Sequence, residues 1–321
     1  MIAYYIYRDA RVEKVDEIDR SWLDHASAIT VWADISQPGP DEAVVLRDVF
    51  GFHPLSVEDA LEASHHPKVE SYGSYLYVVL HDIDFKQHEH AFETLDIDFF
   101  LGRSFLVTVH DGQRRSVAEI ARLCERTAIP LSEGPVGLMH RIVDRIVERY
   151  RPEVDELESW LDEIESRVVA GTREELTAEI LAVKRDIASM RRVVIPQRDV
   201  VGRLARREFD LIGQEHAYRF RDVYDQLVRL ADEAILFQDR VTGILDAHLA
   251  SVSNQLALVS KVLAGIAVIL GPLTVVTGMF GMNVMLPAFP GSEATQFWWI
   301  VGLMTVLTTL IFYVFRRRGW L

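Results

Sequence analysis

The sequence predicts a chain in three parts: an α+β domain, a helical bundle and two membrane-spanning helices. The main observation is the distribution of charge. No charged side chain lies from Val262 to Ser292 or from Phe297 to Phe315, and nearly all of the 48 acidic and 34 basic residues lie before Val262. The second observation is that short β-rich runs give way to long amphipathic helices near residue 130. We therefore place the three parts at 1–130, 131–255 and 256–321.

Five short runs in the first part are rich in β-branched and aromatic residues, which is typical of strands. These runs are AYYIY, ITVWADI, YLYVVLHDI, LDIDFFL and SFLVTVH. Helical patterns lie between them, in DEAVVLRDVF and in SVAEIARLCERT. The first part is therefore predicted to be a small sheet with helices packed on it.

Long helices are predicted from about Leu138. The first pattern runs from His140 to Val169, and the second begins at Glu175 and is expected to be interrupted at Pro196. No further proline occurs before Pro272, so one helix could start near Tyr218 and continue to Asn283. Such a helix would hold about 65 residues and span about 98 Å. A helix of this length is far longer than an ordinary globular helix, so we expect partner helices to pack along it.

Two apolar segments, 262–280 and 297–315, have the length of membrane spans. Each holds 19 residues, or about 28 Å of helix, close to the thickness of a bilayer core. Lys261 precedes the first segment and Arg316–Arg318 follow the second, while the loop from Gly281 to Gln296 has no basic residue. The positive-inside rule then predicts a multi-pass protein of the cell membrane with both termini in the cytoplasm. Trp298, Trp299 and Trp320 lie near the ends of the second segment, where indoles favour the interface.

Composition disfavours several classes of function. A formal net charge of −14 argues against a nucleic-acid partner, and the single cysteine, Cys124, excludes an intrachain disulfide. No basic region followed by an apolar core opens the sequence, so a cleaved signal peptide is not expected. The chain has no Gly-rich phosphate-binding loop and no nucleophile arrangement that stands out. We therefore expect neither an ATP-driven pump nor an enzyme, and no organic cofactor.

One face of the predicted long helix carries a heptad pattern that suggests a water-filled pathway. The pattern begins with four acids, Asp225, Asp232, Asp239 and Asp246, and continues with small or polar residues. These are Ser253, Ser260, Ala267, Thr274 and Gly281. The intervening positions on the same face are Leu236, Gly243, Ala250, Ala257, Ala264, Gly271 and Gly278, and from Gly243 onward every position is small or polar. A spacing of 3.5 residues is that of nearly parallel packed helices, so several copies could turn this face toward a common axis. Close helix contact and a solvated coiled-coil face are the alternatives.

Five stretches of the sequence resemble the CorA family of magnesium channels. Gly281-Met282-Asn283 resembles the family's signature at the end of a first span. HPLSVEDAL and HPKVESYGSYLYVVL resemble a motif of its cytoplasmic domain, and YRFRDVYDQLVRLAD and LASVSNQ resemble its long pore helix. The resemblance implies an α+β cytoplasmic domain followed by a long-helix funnel and two transmembrane α-helices, assembled as a homopentamer in the bilayer.

The resemblance also implies roles for individual residues. Gly281, Met282 and Asn283 would form the selectivity filter, Asp246 a ring near the cytoplasmic entrance and Leu263 part of a hydrophobic constriction. The implied pore-lining residues are Asp246, Ser253, Ala257, Ser260, Leu263, Ala264, Ala267, Gly271, Thr274 and Gly278. The implied regulatory Mg²⁺ ligands between subunits are Glu58, Asp59, Asp222 and Asp225. Ser260 and Gly271 stand where family members often have large apolar residues. Just after the Asp222 segment, Gln226 stands where some family members have a His or an acid.

The implied function is a Mg²⁺ channel in which Mg²⁺ is both transported and regulatory. The membrane potential would suffice to drive uptake, since a divalent cation gains about 4.6 kcal/mol over 100 mV. Transport of Zn²⁺, Co²⁺ or Ni²⁺ and a membrane-anchored coiled-coil scaffold are the alternatives. Asn283 could instead be a helix cap, and Glu58 and Asp59 could be favourable charges in the first turn of a helix beginning near Pro54. The His65–His66 and His81–His90 regions lack cysteines, which disfavours a zinc site.

Overall fold

The protein divides into two compact units, Met1–Leu245 and Asp246–Leu321. The computed structural model describes residues 1–24, 27–62, 66–86, 91–112, 114–171, 176–282 and 292–318, except for the side chains of 84–86, 91–93 and 293. The predicted fold class is observed. An α/β part is followed by a long helix, whose C-terminal stretch is apolar, and by a second apolar helix.

A seven-stranded sheet forms the first part of the N-terminal unit, in the order β2-β1-β3-β7-β6-β5-β4. All neighbours are antiparallel except β3 and β7. The strands are β1 (Ile2–Arg8), β2 (Arg11–Val15), β3 (Thr30–Ser36), β4 (Lys68–Ser71), β5 (Leu76–Lys86), β6 (Ala91–Leu101) and β7 (Phe105–His110). All five predicted strands are present. The two that the sequence pattern missed, β2 and β4, are short, charged edge strands whose pairing partners define them.

Each face of the sheet is buried in a separate core. On β5, Leu76 and Val78 lie in one core, and Tyr77 and Val79 lie in the other. This alternation follows from the two-residue period of a strand, and it explains why the central strands are apolar throughout. Two short helices, α1 (Pro40–Val44) and α2 (Pro54–Leu61), contribute to the core that contains Tyr77.

Helices cover the other face of the sheet and extend from it. They are α3 (Arg115–Arg126), α4 (Ile129–Ser132), α5 (Gly134–Glu148), α6 (Tyr150–Val169), α7 (Leu176–Ala205), α8 (Gln214–Phe280) and α9 (Glu293–Arg317). The pattern predicted as one helix from His140 is divided at Arg149 into α5 and α6. Buried polar contacts fix this junction, because the Tyr150 hydroxyl donates to the carbonyl of His81 at 3.1 Å.

The prediction that Pro196 interrupts its helix is wrong. Helix α7 continues through Pro196 for nine more residues. Its neighbour Gln197 is buried, accepts a hydrogen bond from the backbone N–H of His81 at 2.9 Å and donates to the Tyr150 hydroxyl at 2.7 Å. These contacts, with buried Val194 and Val200 on either side, hold the helix across the one backbone hydrogen bond that proline removes.

Helix α8 holds 67 residues and begins at Gln214, four residues before the predicted start near Tyr218. Both α8 and α9 contain a stretch that is long and apolar enough to cross a membrane, and none of the residues in either stretch is buried within the chain. These stretches coincide with the two predicted spans.

Candidate ion pathway and metal sites

The first part of α8, residues 214–245, packs one face into the N-terminal unit. The buried side chains recur every three or four residues, as expected for one side of a helix. They include Phe220, Val223, Leu227, Leu230, Ala234, Phe237, Val241 and Ile244. The acids of the heptad pattern, Asp225, Asp232 and Asp239, are exposed on another side of the helix. Packing within one chain therefore accounts for most of the apolar residues here, and it leaves uncovered the acidic face, on which Leu236 is also 63% exposed.

The second part of α8, residues 246–280, is mostly uncovered. From Leu249 to Phe280 no residue is buried, and Leu256 and Leu263 are 64% and 61% exposed. A continuous apolar surface of this length is unfavourable in water. It requires a cover of lipid, of other copies of the chain, or of both.

Helix α9 contacts only one side of this second part. An added methyl group on Gly265 would meet the ring of Phe315 at 3.8 Å, and the half-buried Ile269, Pro272 and Val276 lie on the same side of α8. At 3.6 residues per turn, the centre of this side is about 140° from the centre of the heptad face that contains Ala264. Helix α9 therefore covers the side of α8 that is nearly opposite to the proposed pore face.

We call the uncovered set of small and polar positions the small-residue face. It consists of Ser253, Ala257, Ser260, Ala264, Ala267, Gly271, Thr274 and Gly278, all of which are exposed. Apart from the adjoining residues and the helix's own backbone, no heavy atom of the described residues lies within 4 Å of a methyl group added to Gly271 or Gly278. The Thr274 hydroxyl donates to the carbonyl of Leu270 at 2.9 Å, so its polar hydrogen is satisfied inside the helix. Asp246 and Leu263, at positions predicted to line the pathway, are also exposed.

Helix geometry limits how the heptad face can meet a common axis. A straight α-helix drifts by about 20° per heptad relative to a 3.5-residue repeat. Between Asp246 and Gly281 there are five heptads, which gives a drift of about 100°. Copies of α8 can keep the whole face toward one axis only by tilting or coiling around each other in the left-handed sense.

The predicted selectivity filter begins where α8 ends. The backbone N–H of Gly281 donates to the carbonyl of Thr277 at 2.9 Å, and that of Met282 donates to Met279 at 3.4 Å. A side chain on Gly281 would approach the Thr277 carbonyl to 3.1 Å, so glycine suits this close turn. Met282 is 58% exposed. Asn283, the third residue of the predicted filter, lies outside the described residues.

The predicted regulatory carboxylates lie on α2 and on the first part of α8. Glu58, Asp222 and Asp225 are exposed, and the amide of Gln226 donates to Asp222 at 3.3 Å. Asp59 is half-buried and forms an ion pair with Lys68, whose Nζ lies 2.5 Å from Asp59 Oδ2. Within the part of the chain that the structure describes, no three His, Cys, Asp or Glu side chains form a group able to hold a metal.

Lys68 is the partner that sequence reasoning missed. Burial opposes its positive charge, but hydrogen bonding to Asp59 and the charge of Glu70 outweigh burial and raise the pKa of Lys68. The amino group is therefore fully protonated at neutral pH.

A buried acid was also missed by sequence reasoning. Asp98 accepts a hydrogen bond from the Tyr77 hydroxyl at 2.5 Å, and burial raises the pKa of Asp98 to about 7. Burial also raises the pKa of Tyr77. Nearby, His81 Nδ1 lies 2.6 Å from Asp96 Oδ1. His65, His88 and His90 lie outside the described residues.

Comparison with known proteins identifies the family. A family model described as a CorA-like Mg²⁺ transporter protein matches residues 27–317. The chain belongs to this family. The CorA-like chain is 27% identical to the putative metal ion transporter YfjQ of Bacillus subtilis, over 99% of this chain and 95% of that protein. It is 26% identical to the cobalt/magnesium transport protein CorA of Thermotoga maritima, over 99% of this chain and 91% of that protein.

A solved structure shows the same fold. The complete CorA magnesium transporter from Methanocaldococcus jannaschii superposes with a TM-score of 0.85, at 22% identity, over 100% of this chain and 99% of that chain. The predicted family and fold class are thus confirmed. Membership in the CorA family makes this chain a divalent-cation transporter rather than an enzyme.

Proposed function

We propose that this chain is a Mg²⁺ channel of a cell membrane and that several copies, five by family resemblance, surround the ion pathway. The observation that carries the proposal is the small-residue face of α8. It is exposed within one chain, and the half-buried side where α8 meets α9 lies nearly opposite. Copies of α8 that pack through their exposed leucines would turn this face toward a shared axis and leave α9 on the outside, toward lipid.

The chemistry of the proposed path suits a hydrated ion. Mg²⁺ releases its water reluctantly and usually keeps several water molecules. Amide and carbonyl oxygens at Gly281, Met282 and Asn283 would accept hydrogen bonds from those waters without binding the ion as tightly as carboxylates do. Small side chains leave room for the hydrated ion, Leu263 narrows the path, and a ring of Asp246 attracts cations at the inner end.

The proposed orientation places both termini and the N-terminal unit in the cytoplasm. The flanking charges Lys261 and Arg316–Arg318 support it through the positive-inside rule. The membrane potential, negative inside, then drives divalent cations inward.

The proposed regulation uses cytoplasmic Mg²⁺ as a ligand between copies. Glu58 and Asp59 of one copy would face Asp222 and Asp225 of the next, and Mg²⁺ would bind this set more tightly in the closed state. Mg²⁺ would thus be both cargo and regulator, and no organic cofactor is proposed.

Flux into liposomes tests the proposal. A K⁺ gradient with valinomycin sets the potential, and uptake of Mg²⁺, Co²⁺ and Zn²⁺ is compared. We expect potential-dependent Mg²⁺ uptake and, because the Thermotoga relative is named a cobalt/magnesium transport protein, Co²⁺ uptake too. Internal Mg²⁺ should inhibit the flux, and Asp59→Ala with Asp222→Ala should shift inhibition to higher Mg²⁺. Absence of flux would favour a scaffold, and an unchanged inhibition curve would place the closing sites elsewhere.

A further inference from the structure

The ammonium group of Lys68 forms an ion pair with the Asp59 carboxylate, which is one of the proposed ligands of regulatory Mg²⁺. Its Nζ lies 2.5 Å from Asp59 Oδ2 and 3.4 Å from Glu70 Oε1. The Tyr72 hydroxyl donates to the second oxygen of Glu70 at 3.1 Å and so orients that carboxylate. A cation supplied by the chain itself is therefore already bound where a free cation would have to bind.

The strand pattern holds Lys68 in this position. Lys68 and Glu70 are two residues apart on the edge strand β4, so their side chains leave the same face of the sheet. Tyr77 lies opposite Glu70 on β5, and the ammonium group of Lys68 is 5.3 Å from the centre of its ring. Two carboxylates and one aromatic ring thus surround the ammonium group, whose side chain is 28% exposed.

We propose that Lys68 is a tethered competitor of Mg²⁺ at Asp59 and that it sets the Mg²⁺ concentration at which the regulatory site fills. This inference rests on the proposed role of Asp59 in regulation. Mg²⁺ can bind the Asp59 carboxylate only if Lys68 moves away or shares the carboxylate with it, and two positive charges this close repel each other. Without bound Mg²⁺, Lys68 neutralises carboxylates that would otherwise repel one another.

Removal of the charge should therefore increase the affinity for Mg²⁺. A partly exposed ion pair contributes on the order of 1 kcal/mol, and 1.4 kcal/mol corresponds to a tenfold change in affinity. We expect Lys68→Met to lower the half-saturating Mg²⁺ concentration by about fivefold. Lys68→Arg, which keeps the charge, should stay within about twofold of the wild type.

The experiment measures protection of the N-terminal unit from chymotrypsin as Mg²⁺ is titrated into the full-length protein in detergent, at constant ionic strength. Chymotrypsin cleaves chiefly after aromatic residues and leucine and only slowly after methionine, so the substitutions leave its main sites intact, and the control below introduces the same residue. Lys14→Met is the matched control, because Lys14 lies on the opposite edge strand, β2, with its ammonium group 5.6 Å from the ring of Tyr5. We expect this control to leave unchanged the midpoint, which is the Mg²⁺ concentration that gives half-maximal protection.

Asp59→Asn separates the proposed regulatory role of Asp59 from the proposed competition by Lys68. It should raise the midpoint strongly, and adding Lys68→Met to it should have no further effect. If Asp59→Asn shifts the midpoint but Lys68→Met does not, Lys68 is no competitor and the regulatory site still stands. If Asp59→Asn leaves the midpoint unchanged, the proposed regulatory role of Asp59 fails and this inference fails with it.

Discussion

The two parts of helix α8 follow the same backbone geometry but differ in what covers them. Residues 214–245 bury an apolar stripe within their own chain and expose aspartates. From Leu249 to Phe280 the helix buries nothing and exposes leucines together with small residues. The difference shows which contacts one chain can satisfy and which ones require lipid or further copies. The part that one chain leaves uncovered is the one that we propose lines the ion pathway.

The largest expected effect lies at the end of the uncovered part. Asn283→Ala should reduce Mg²⁺ uptake into liposomes to the background level, because a methyl group cannot replace the amide oxygen that receives the hydrated ion. Folding should be preserved, since the residue follows the end of α8 at Phe280. Gel filtration in detergent checks that the variant assembles. Near-normal flux through a correctly assembled variant would remove the selectivity role of Asn283.

A pair of identical substitutions separates the two parts of α8 directly. Leu227→Ala should lower the free energy of unfolding of the N-terminal unit by about 2–5 kcal/mol, because Leu227 is fully buried and its removal leaves a cavity. Leu256→Ala should leave it unchanged, because Leu256 is 64% exposed within the chain. Urea unfolding followed by tryptophan fluorescence measures both. Equal losses would mean that the second part is also held by the N-terminal unit.

A smaller effect concerns pH and the buried acid of the sheet. The pKa of Asp98 is about 7 in the folded protein and about 4 in an unfolded chain. Between these values the folded state binds the extra proton, so the contribution of Asp98 to stability is fully present below about pH 4 and is lost as the pH rises through 7. Asp98→Asn removes this loss and still accepts the hydrogen bond from Tyr77.

The test compares the thermal midpoints of Asp98→Asn and the wild type from pH 5 to pH 8. The difference in unfolding free energy obtained from these midpoints should grow in favour of the variant by about 3 kcal/mol between pH 5 and pH 8. A difference that does not change with pH would show that Asp98 is ionised throughout.

The sequence was sufficient for the elements whose signal is local. Helix periodicity and the absence of charge predicted α8 and α9, and β-rich runs predicted the five central strands. The edge strand β4 reads as a charged loop, and only its pairing with β5 makes it a strand. The sequence predicts an interruption at Pro196, because the buried contacts of Gln197 that hold the helix together are tertiary and leave no local signal.

The sequence also predicts only those parts of the candidate site whose signal is local. The small-residue face follows from spacing alone, but the side that α9 covers depends on packing between two helices. Asp98 alternates with apolar residues on β6, a pattern typical of a solvent-facing position, yet the structure buries it. The pairing of Lys68 with Asp59 joins a strand to a helix, and no local pattern indicates it.

The central claim is that the small-residue face of α8 lines a water-filled path while the opposite side does not. Single cysteines at Ala264 and at Ile269 test it in liposomes with a small hydrophilic thiol reagent. The native Cys124 gives little background, since it is buried and burial raises its pKa to about 12. We predict that Ala264→Cys is labelled and that Ile269→Cys, on the side where α9 packs, is protected. Equal labelling of the two, or labelling of Ile269→Cys alone, would contradict the account.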